Sequence, residues 1–372
     1  MPTSAIDCVQ PAIQHAREQL FTHFRWGQWS RLALVGILAA ELHSGGCGGS
    51  FPSFNVPISR PRSDGHGFLA LPFFPHIDPA RIAQFAGLIV AVLILAVILF
   101  FVFLYISSVF RFILFESVLK KQCSIGEGWQ RWHRAGRGFF LWQLVFLIST
   151  WLFLGILIGI PLAVAIAAGW LANPGQHTGP FIAGLILLVG LAIVLVLVAV
   201  AVQVLARDFL VPIMALEGLD FADGWSRLLA MIRPEPGKYV VYLLLKLVLS
   251  IAAGILFGIA AIVPIVVIVV PAVILVLVGK VVGLGWTVTT ISLAVILGSI
   301  LLLILIYLIA LVSVPATVFF PAYSIYFFAS RYPNLDALLH PVPPPAALGS
   351  TAPPESPPPE PPPLPPSPEP IG

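Results

Sequence analysis

Few residues in this chain could take part in chemistry inside an apolar environment. The main candidates within or beside its long apolar segments, apart from hydroxyl side chains, are Glu41, Gln143, Gln203 and Lys246. Catalysis or ion coupling at membrane depth requires groups that exchange protons or coordinate ions. Lys246 lies about two turns into an apolar segment, and its flexible stem allows the ammonium group to reach the interface. We therefore expect Lys246 to be an interfacial residue and not a functional site.

The sequence contains no motif for a known catalytic or metal-binding chemistry. HExxH, GxSxG and the phosphate-binding P-loop are all absent. One loop carries scattered potential ligands, but their spacings match no compact metal-binding motif: His43, Cys47, Asp64, His66, His76 and Asp78. We expect no catalytic residue, no metal and no cofactor, and hence a protein that is not an enzyme.

A second set of residues is suited to binding anions. Arginine and tryptophan residues recur in two polar connections between apolar segments: Arg111, Trp129, Arg131, Arg207, Trp225 and Arg227. Each cation near an anionic membrane surface adds about 1 kcal/mol of attraction. We predict that these six residues form a lipid-headgroup rim, with Arg111 and Arg207 together at the cytoplasmic ends of two spans. The simpler interpretation is a positive-inside signal with interfacial helices.

The polar connections that carry these six residues are joined by long segments without charged residues. Only 9% of the chain is charged and its mean hydropathy is +1.02, and no Lys, Arg, Asp or Glu occurs in residues 82–110, 138–206, 247–279 and 281–330. One helical crossing needs about 20 apolar residues, and a barrel strand only about 10. The pattern predicts an all-α polytopic transmembrane helix bundle with about six spans, at residues 29–42, 81–110, 138–160, 181–206, 239–263 and 288–314. Residues 264–280 are either the end of the fifth span or a seventh.

Other segments surround this transmembrane domain of residues 29–335. Residues 1–28 are predicted to form a cytoplasmic amphipathic helix, lying on lipid or on the protein, with an apolar face of Val9, Ile13, Ala16, Leu20 and Phe24. Residues 43–78 are rich in Gly and Pro and indicate an extracytoplasmic loop. Prolines 161, 264 and 271 are expected to interrupt helices. Residues 336–372 indicate a disordered, Pro-rich cytoplasmic tail that could dock a protein partner.

The two polar connections also indicate an internal repeat, with units at about 81–161 and 181–264. Arg111, Leu114, Gly128, Trp129 and Arg131 recur 96 residues later as Arg207, Leu210, Gly224, Trp225 and Arg227. The hexapeptide GILIGI at 155–160 recurs as GILFGI at 254–259. Both units run in the same direction, as in a parallel repeat. Since small residues four apart let helices approach closely, we predict a packing contact between Gly155/Gly159 and Gly254/Gly258.

Three segments resemble an uncharacterised family of bacterial six-helix, multi-pass membrane proteins. They are FRWGQW at 24–29, RDFLVP at 207–212 and FFPAYSIYFF at 319–328. More distantly, the chain is similar to the membrane domain of glycerophosphodiester phosphodiesterases. The resemblance implies a six-helix membrane domain, no agreed activity and location in the bacterial inner membrane.

Two functions remain open from the sequence. The first is a non-enzymatic integral membrane protein that binds or organises lipids or partner proteins. The alternative is a transporter or lipid-translocating protein, for which the parallel repeat is the support. The positive-inside rule predicts both termini in the cytoplasm. A net charge of +3 gives no reason to expect nucleic acid as a partner, and the sequence leaves the oligomeric state open.

Overall fold

Helices account for almost all of the regular structure. The computed structural model describes residues 4–22, 24–39, 79–169, 178–283, 285 and 287–339, and these contain no β-strand. The α-helices are α1 Val9–Arg17, α2 Trp26–Leu38, α3 Pro79–Leu119, α4 Ile125–Ala167, α5 Thr178–Leu205, α6 Val211–Glu217, α7 Phe221–Ile232, α8 Pro236–Val281, α9 Val288–Ala329 and α10 Pro333–Leu339. Two π-helical segments, Glu18–Thr22 and Ala206–Leu210, follow α1 and α5.

Five helical stretches in the described residues are long and apolar enough to cross a membrane. They are Ala86–Leu119, Ile125–Ala167, Ile182–Glu217, Pro236–Val281 and Val288–Ala329. Helices satisfy all of their backbone hydrogen bonds internally, which a segment exposed to lipid must do. The chain is therefore a helical protein compatible with a membrane, and five of the six predicted spans have a counterpart.

The first predicted span, 29–42, differs from this pattern. Its described part belongs to α2, which has 13 residues and is shorter than a membrane crossing requires. Arg111 of α3 donates to the carbonyl of Ala39 (3.3 Å), and Gln28 donates to the carbonyl of Lys121 (2.9 Å). The α2 helix thus runs antiparallel to the last part of α3, beyond the predicted second span. Residues 40–42 lie outside the described part.

Prolines do not end the long helices as the sequence suggested. Pro161 lies inside α4, and Pro264 and Pro271 lie inside α8. Residues 264–280 therefore continue the same helix as the predicted fifth span, without a turn that would separate a seventh. The first polar connection is also largely helical, because α4 already begins at Ile125. Proline is tolerated in membrane helices because local adjustments and neighbouring groups satisfy the freed carbonyl.

The boundaries of two predicted segments need similar correction. Residues 336–339, assigned to the disordered tail, form the last part of α10. The remainder of the tail and the predicted loop at 43–78 lie outside the described residues. So do residues 170–177, between the predicted third and fourth spans.

The buried core lies at one end of the long helices. It includes Phe112, Phe139, Phe209, Tyr242 and Phe327, all of which are essentially inaccessible. Neighbouring aromatic rings pack on one another there, with Tyr242 and Phe327 4.5 Å apart between ring centroids. The opposite halves of the long helices leave their Leu, Ile and Val side chains exposed. A packed end and an exposed apolar end therefore divide each long helix.

The N-terminal helical segment packs on α9 with a face that overlaps the predicted one in part. The predicted residues Ala16 and Leu20 are buried, together with Ala5, Cys8 and Ala12, whereas the predicted Ile13 and Phe24 are exposed. The buried face also includes two polar residues outside the predicted apolar face: His15 and Gln19. Both His15 nitrogens have partners, and the Gln19 amide group donates to the carbonyl of Ser117, while Gln19 Oε1 has no hydrogen-bond partner within the described residues.

His15 joins α1 to α3 and α9. Its Nε2 lies 2.9 Å from the Val118 carbonyl oxygen, and its Nδ1 lies 3.3 Å from the Tyr326 hydroxyl. A neutral ring donating from Nε2 and accepting at Nδ1 satisfies both contacts. Burial lowers the pKa of His15, with the hydrogen bond to Val118 opposing that shift; Lys121 lowers the pKa further and Glu18 raises it.

The predicted glycine contact between spans three and five is wrong. A methyl group added at Gly155, Gly159 or Gly258 would meet no described atom within 4 Å, and Gly254 is only half-buried. Among the described glycines, the tightest contact is instead at Gly136, where an added methyl would lie 2.5 Å from Val109 Cγ2. The repeated hexapeptide shows only that small residues are present. A packing contact also requires a neighbouring helix opposite those residues.

Candidate functional site

A cavity of about 30 Å³ lies in the packed end where four long helical stretches meet. Polar and charged groups line it from three of them and from the π-helical segment: Arg111 of α3, Arg207 and Asp208 of the segment Ala206–Leu210, Lys246 of α8 and Ser324 of α9. On this measure a single water needs about 10–15 Å³. The cavity thus has room for a small polar group but not for a large molecule.

Asp208 and Lys246 form an ion pair in the wall of this cavity. Lys246 Nζ lies 2.7 Å from Asp208 Oδ1 and 2.5 Å from Oδ2. The two side chains are only 12% and 9% exposed. The buried Tyr242 hydroxyl donates to Asp208 Oδ2 at 2.7 Å. A buried charge is tolerated when it is paired and hydrogen-bonded in this way.

This pair corrects the prediction for Lys246. The ammonium group does not extend into solvent but turns to a carboxylate in the packed end of the bundle. Asp208 was not among the predicted site residues. A useful signal was present, since an ionisable residue within an apolar helix usually has a partner of opposite charge. That rule does not identify the partner, because Glu217, Asp220, Asp223 and Glu235 all lie closer to Lys246 in the sequence than Asp208 does.

A π-helical segment brings two oppositely charged neighbours to the same cavity. The helix predicted to end at 206 continues without a break through Ala206–Leu210 into α6. Such π segments occur frequently at functional sites, because the wider turn changes the direction of side chains relative to a regular α-helix. Here both Arg207 and Asp208 line the cavity.

Arg111 and Arg207, which the sequence placed together, line the same cavity. Arg111 is buried, its Nε donates to the carbonyl of Ala39, and its guanidinium carbon lies 5.5 Å from the centre of the Phe139 ring. Arg207 Nε is buried and has no hydrogen-bond partner within the described residues. Counting Lys246 and Asp208, the cavity carries three cations and one carboxylate. The surplus of positive charge favours an anion.

The remaining members of the predicted rim lie elsewhere. In the first connection, Arg131 bonds to Glu116, and Trp129 packs against Tyr105 and Phe110. These are contacts between α4 and α3 and do not reach the cavity. Arg131 is half-exposed, so its ion pair with Glu116 contributes little stability.

The second connection has a similar arrangement. Arg227 lies 3.8 Å from Glu217, and Trp225 packs against Trp142 with ring centroids 6.0 Å apart. Glu217 also accepts a hydrogen bond from the Tyr332 hydroxyl at 2.5 Å. Thus the six predicted residues separate into one pair at the cavity and two tryptophan–arginine pairs that pack on neighbouring helices.

Within the described residues, no group of three His, Cys, Asp or Glu side chains could hold a metal ion. The potential ligands of the 43–78 loop lie outside those residues. What the cavity offers chemically is hydrogen-bond donation and positive charge, with one buried acceptor beside them.

The fold and the cavity define a helical, membrane-compatible protein with a small cationic site. A family model covers residues 3–338 of the chain, and the chain accordingly belongs to the family of unknown function DUF7544. No curated protein matches it, and no solved structure matches it. Nothing in these comparisons supports the resemblance to glycerophosphodiester phosphodiesterases.

Proposed function

We propose that this protein is a non-enzymatic integral membrane protein that binds anionic lipid headgroups. The observation that carries this proposal is the convergence of Arg111, Arg207 and Lys246 on one cavity. A phosphate suits such a site, because guanidinium groups donate paired hydrogen bonds to its oxygens. The exposed apolar halves of the long helices would place the cavity beside lipid.

The proposal includes a bacterial inner-membrane location with both termini in the cytoplasm. Support for a shared side comes from α1, whose His15 contacts Tyr326 near the end of α9. The N-terminal helix and the end of the last long helix therefore lie at the same end of the bundle. The Pro-rich tail would then be available to a cytoplasmic protein partner.

The parallel repeat remains part of the proposal, and local contacts support it. Gly128 and Gly224, which are 96 residues apart, each lie against the preceding helical stretch, with an added methyl group 3.0 Å from Ile113 and 2.8 Å from Leu210, respectively. Arg131 and Arg227 are also 96 residues apart, and each lies near a glutamate of that stretch, although Glu116 and Glu217 occupy non-equivalent positions in the two units. Two similar units would explain why each unit contributes one arginine to the cavity, Arg111 from the first and Arg207 from the second.

Lipid co-purification tests the proposal. The full chain is extracted in mild detergent, and bound lipids are quantified by mass spectrometry for the wild type, Arg207→Gln and Arg227→Gln. Arg227 is the control, since it lies in the same repeat unit but is 58% exposed and outside the cavity. We expect Arg207→Gln alone to reduce anionic lipid, by roughly fivefold for one lost cation worth about 1 kcal/mol.

Two results would argue against the cavity as the lipid-binding site. Unchanged anionic lipid in Arg207→Gln would exclude it as the binding site, provided that the variant unfolds at the wild-type temperature. Loss of lipid in Arg131→Ala/Arg227→Ala with full binding in Arg207→Gln would place the site at the tryptophan–arginine pairs instead.

A transporter or lipid-translocating protein is the second candidate. The ion pair of Asp208 and Lys246 favours it, because ionisable residues inside membrane proteins commonly mark substrate or ion pathways. We nevertheless expect no proton- or sodium-coupled uptake by reconstituted protein. Uptake that is lost in Asp208→Asn and retained in Asp223→Asn, an exposed control on α7, would favour the transporter.

A further inference from the structure

We infer that the cavity takes a terminal phosphate group, that is, a phosphate monoester, in preference to a phosphodiester. This inference rests on the proposed binding of an anionic headgroup at the cavity and narrows the chemical class of that headgroup. A terminal phosphate occurs on phosphatidic acid and on soluble phosphates. Two observations carry the inference: the net charge of the cavity lining and the small volume of the cavity.

The lining residues carry a surplus of positive charge that matches a monoester. Lys246 Nζ lies 2.7 and 2.5 Å from the two carboxylate oxygens of Asp208, so these two charges largely cancel. The surplus therefore belongs to Arg111 and Arg207. A phosphate monoester carries about −1.5 to −2 at pH 7, whereas a phosphodiester carries a single negative charge. The monoester thus balances both arginines, and the diester balances only one of them.

Arg207 has donor capacity that a phosphate oxygen would use. Its Nε is buried and has no hydrogen-bond partner within the described residues. A buried donor without a partner destabilises a protein, so an acceptor placed beside it is favourable. The guanidinium group presents its N–H donors in a planar fork that fits phosphate oxygens in pairs. A terminal phosphate offers three such oxygens, and esterification to a second group leaves one fewer.

The size of the cavity favours the same group. Its volume is about 30 Å³, and a single water needs about 10–15 Å³, so the cavity holds roughly two or three oxygen-sized groups. The terminal oxygens of a monoester fill that space, and the ester oxygen leads out of it. Leu114, Val211 and Phe320 form much of the remaining wall. A second ester substituent would therefore have to displace packed side chains or a terminal oxygen.

Two lipids that differ by one methyl group test this inference. Phosphatidic acid and phosphatidylmethanol with identical acyl chains differ only in that the methyl ester turns the terminal phosphate into a singly charged diester. Native mass spectrometry of the full chain in detergent, at neutral pH, measures Kd for each lipid. We expect the wild type to bind phosphatidic acid roughly tenfold more tightly, because nearly one extra charge lies beside the arginines. Equal Kd values would overturn the inference.

Variants of Arg207 test whether the preference comes from the cavity. Arg207→Gln removes one surplus charge and should reduce the preference for phosphatidic acid to about threefold or less. Arg207→Lys keeps the charge but lacks the planar fork, so it should bind both lipids more weakly and retain most of the preference. Arg227→Gln is the exposed control outside the cavity and should retain the wild-type preference.

Two results with the variants would contradict the inference. One is an unchanged preference in Arg207→Gln that unfolds at the wild-type temperature, and the other is an equal loss of preference in Arg227→Gln. The wild-type comparison of the two lipids requires no variant, so it decides the inference even where Arg207→Gln does not fold.

Competition separates the two sources of a terminal phosphate. Inorganic phosphate at millimolar concentration is added to the complex of the wild type with phosphatidic acid. Retention of the lipid assigns the site to phosphatidic acid, because the apolar surroundings then contribute to binding. Displacement of the lipid by inorganic phosphate assigns the site to a soluble phosphate. Both results support a site for a terminal phosphate.

The outcomes also separate this inference from the proposed function. If the wild type binds neither lipid, the proposed lipid binding fails; inorganic phosphate that still binds to the wild type and not to Arg207→Gln would support the terminal-phosphate site on its own. If both lipids bind with equal Kd and Arg207→Gln weakens both, the proposed function stands and only the preference for a monoester is wrong.

Discussion

Gly136 provides the sharpest test of how the packed end is held together. A methyl group added there would lie 2.5 Å from Val109 Cγ2 and 3.0 Å from Val109 Cα. Because one of these atoms belongs to the backbone, a side-chain rotation cannot relieve the overlap, and α3 and α4 must separate. Forcing extra volume into a packed core costs about 1–3 kcal/mol.

Gly138 is a matched control on the same helix. A methyl group there would lie 3.6 Å from Met214 Cε, which is an ordinary van der Waals distance. Replacing an interior helical glycine by alanine gains about 1 kcal/mol of helix propensity. This gain is common to both variants and cancels in their difference. Gly136→Ala should thus be less stable than Gly138→Ala by about 1–3 kcal/mol.

Thermal unfolding in a mild detergent, followed by tryptophan fluorescence, measures this difference. One kcal/mol shifts Tm by about 2–4 °C in a domain of 150–250 residues, so the two variants should differ by roughly 2–12 °C. Equal Tm values for Gly136→Ala and Gly138→Ala would refute the close approach of α3 and α4 at Gly136.

Three further results are expected. Burial lowers the pKa of His15 below its ordinary 6.5, so the neutral ring stabilises the fold above pH 6.5. This stabilisation should be lost as the pH falls through the lowered pKa, and His15→Gln should remove that part of the pH dependence of Tm. Gly155→Ala and Gly159→Ala should not lower Tm, since added methyl groups meet open space; a loss of several degrees would restore the glycine packing contact. Lys246→Met should cost about 3–5 kcal/mol by leaving the Asp208 charge buried and unpaired, and adding Asp208→Asn should recover most of it; equal Tm values for the single and double variants would contradict this.

Composition predicted the helical, membrane-compatible class, because long runs without charge leave few alternatives in lipid. Predictions from the sequence failed where the structure depends on contacts with other parts of the chain. Pro161 and Pro264 were expected to end helices, yet the helix continues through each of them. His15 and Gln19 are not part of the predicted apolar face, yet both are buried, because the carbonyls of Val118 and Ser117 in α3 lie within hydrogen-bonding distance of their side chains.

The candidate site was predictable only in part. The 96-residue spacing of Arg111 and Arg207 was visible in the sequence, and both line the same cavity. Asp208 lies next to Arg207, but its partner Lys246 is 38 residues away. No local sequence pattern predicts that these two side chains meet, because their contact depends on how the π-helical segment turns and how α8 packs against it.

Each long helix has a packed end and an exposed end, and these two ends should accept amino-acid substitutions at different rates. Lipid tails are as apolar as leucine, so the exposed halves can exchange Leu, Ile and Val with little effect on the fold. At the packed end, residues such as Gly136 and Tyr242 have neighbours on several sides, and a change in one requires a change in another. Members of this family should therefore diverge freely along the exposed halves and much more slowly around the cavity.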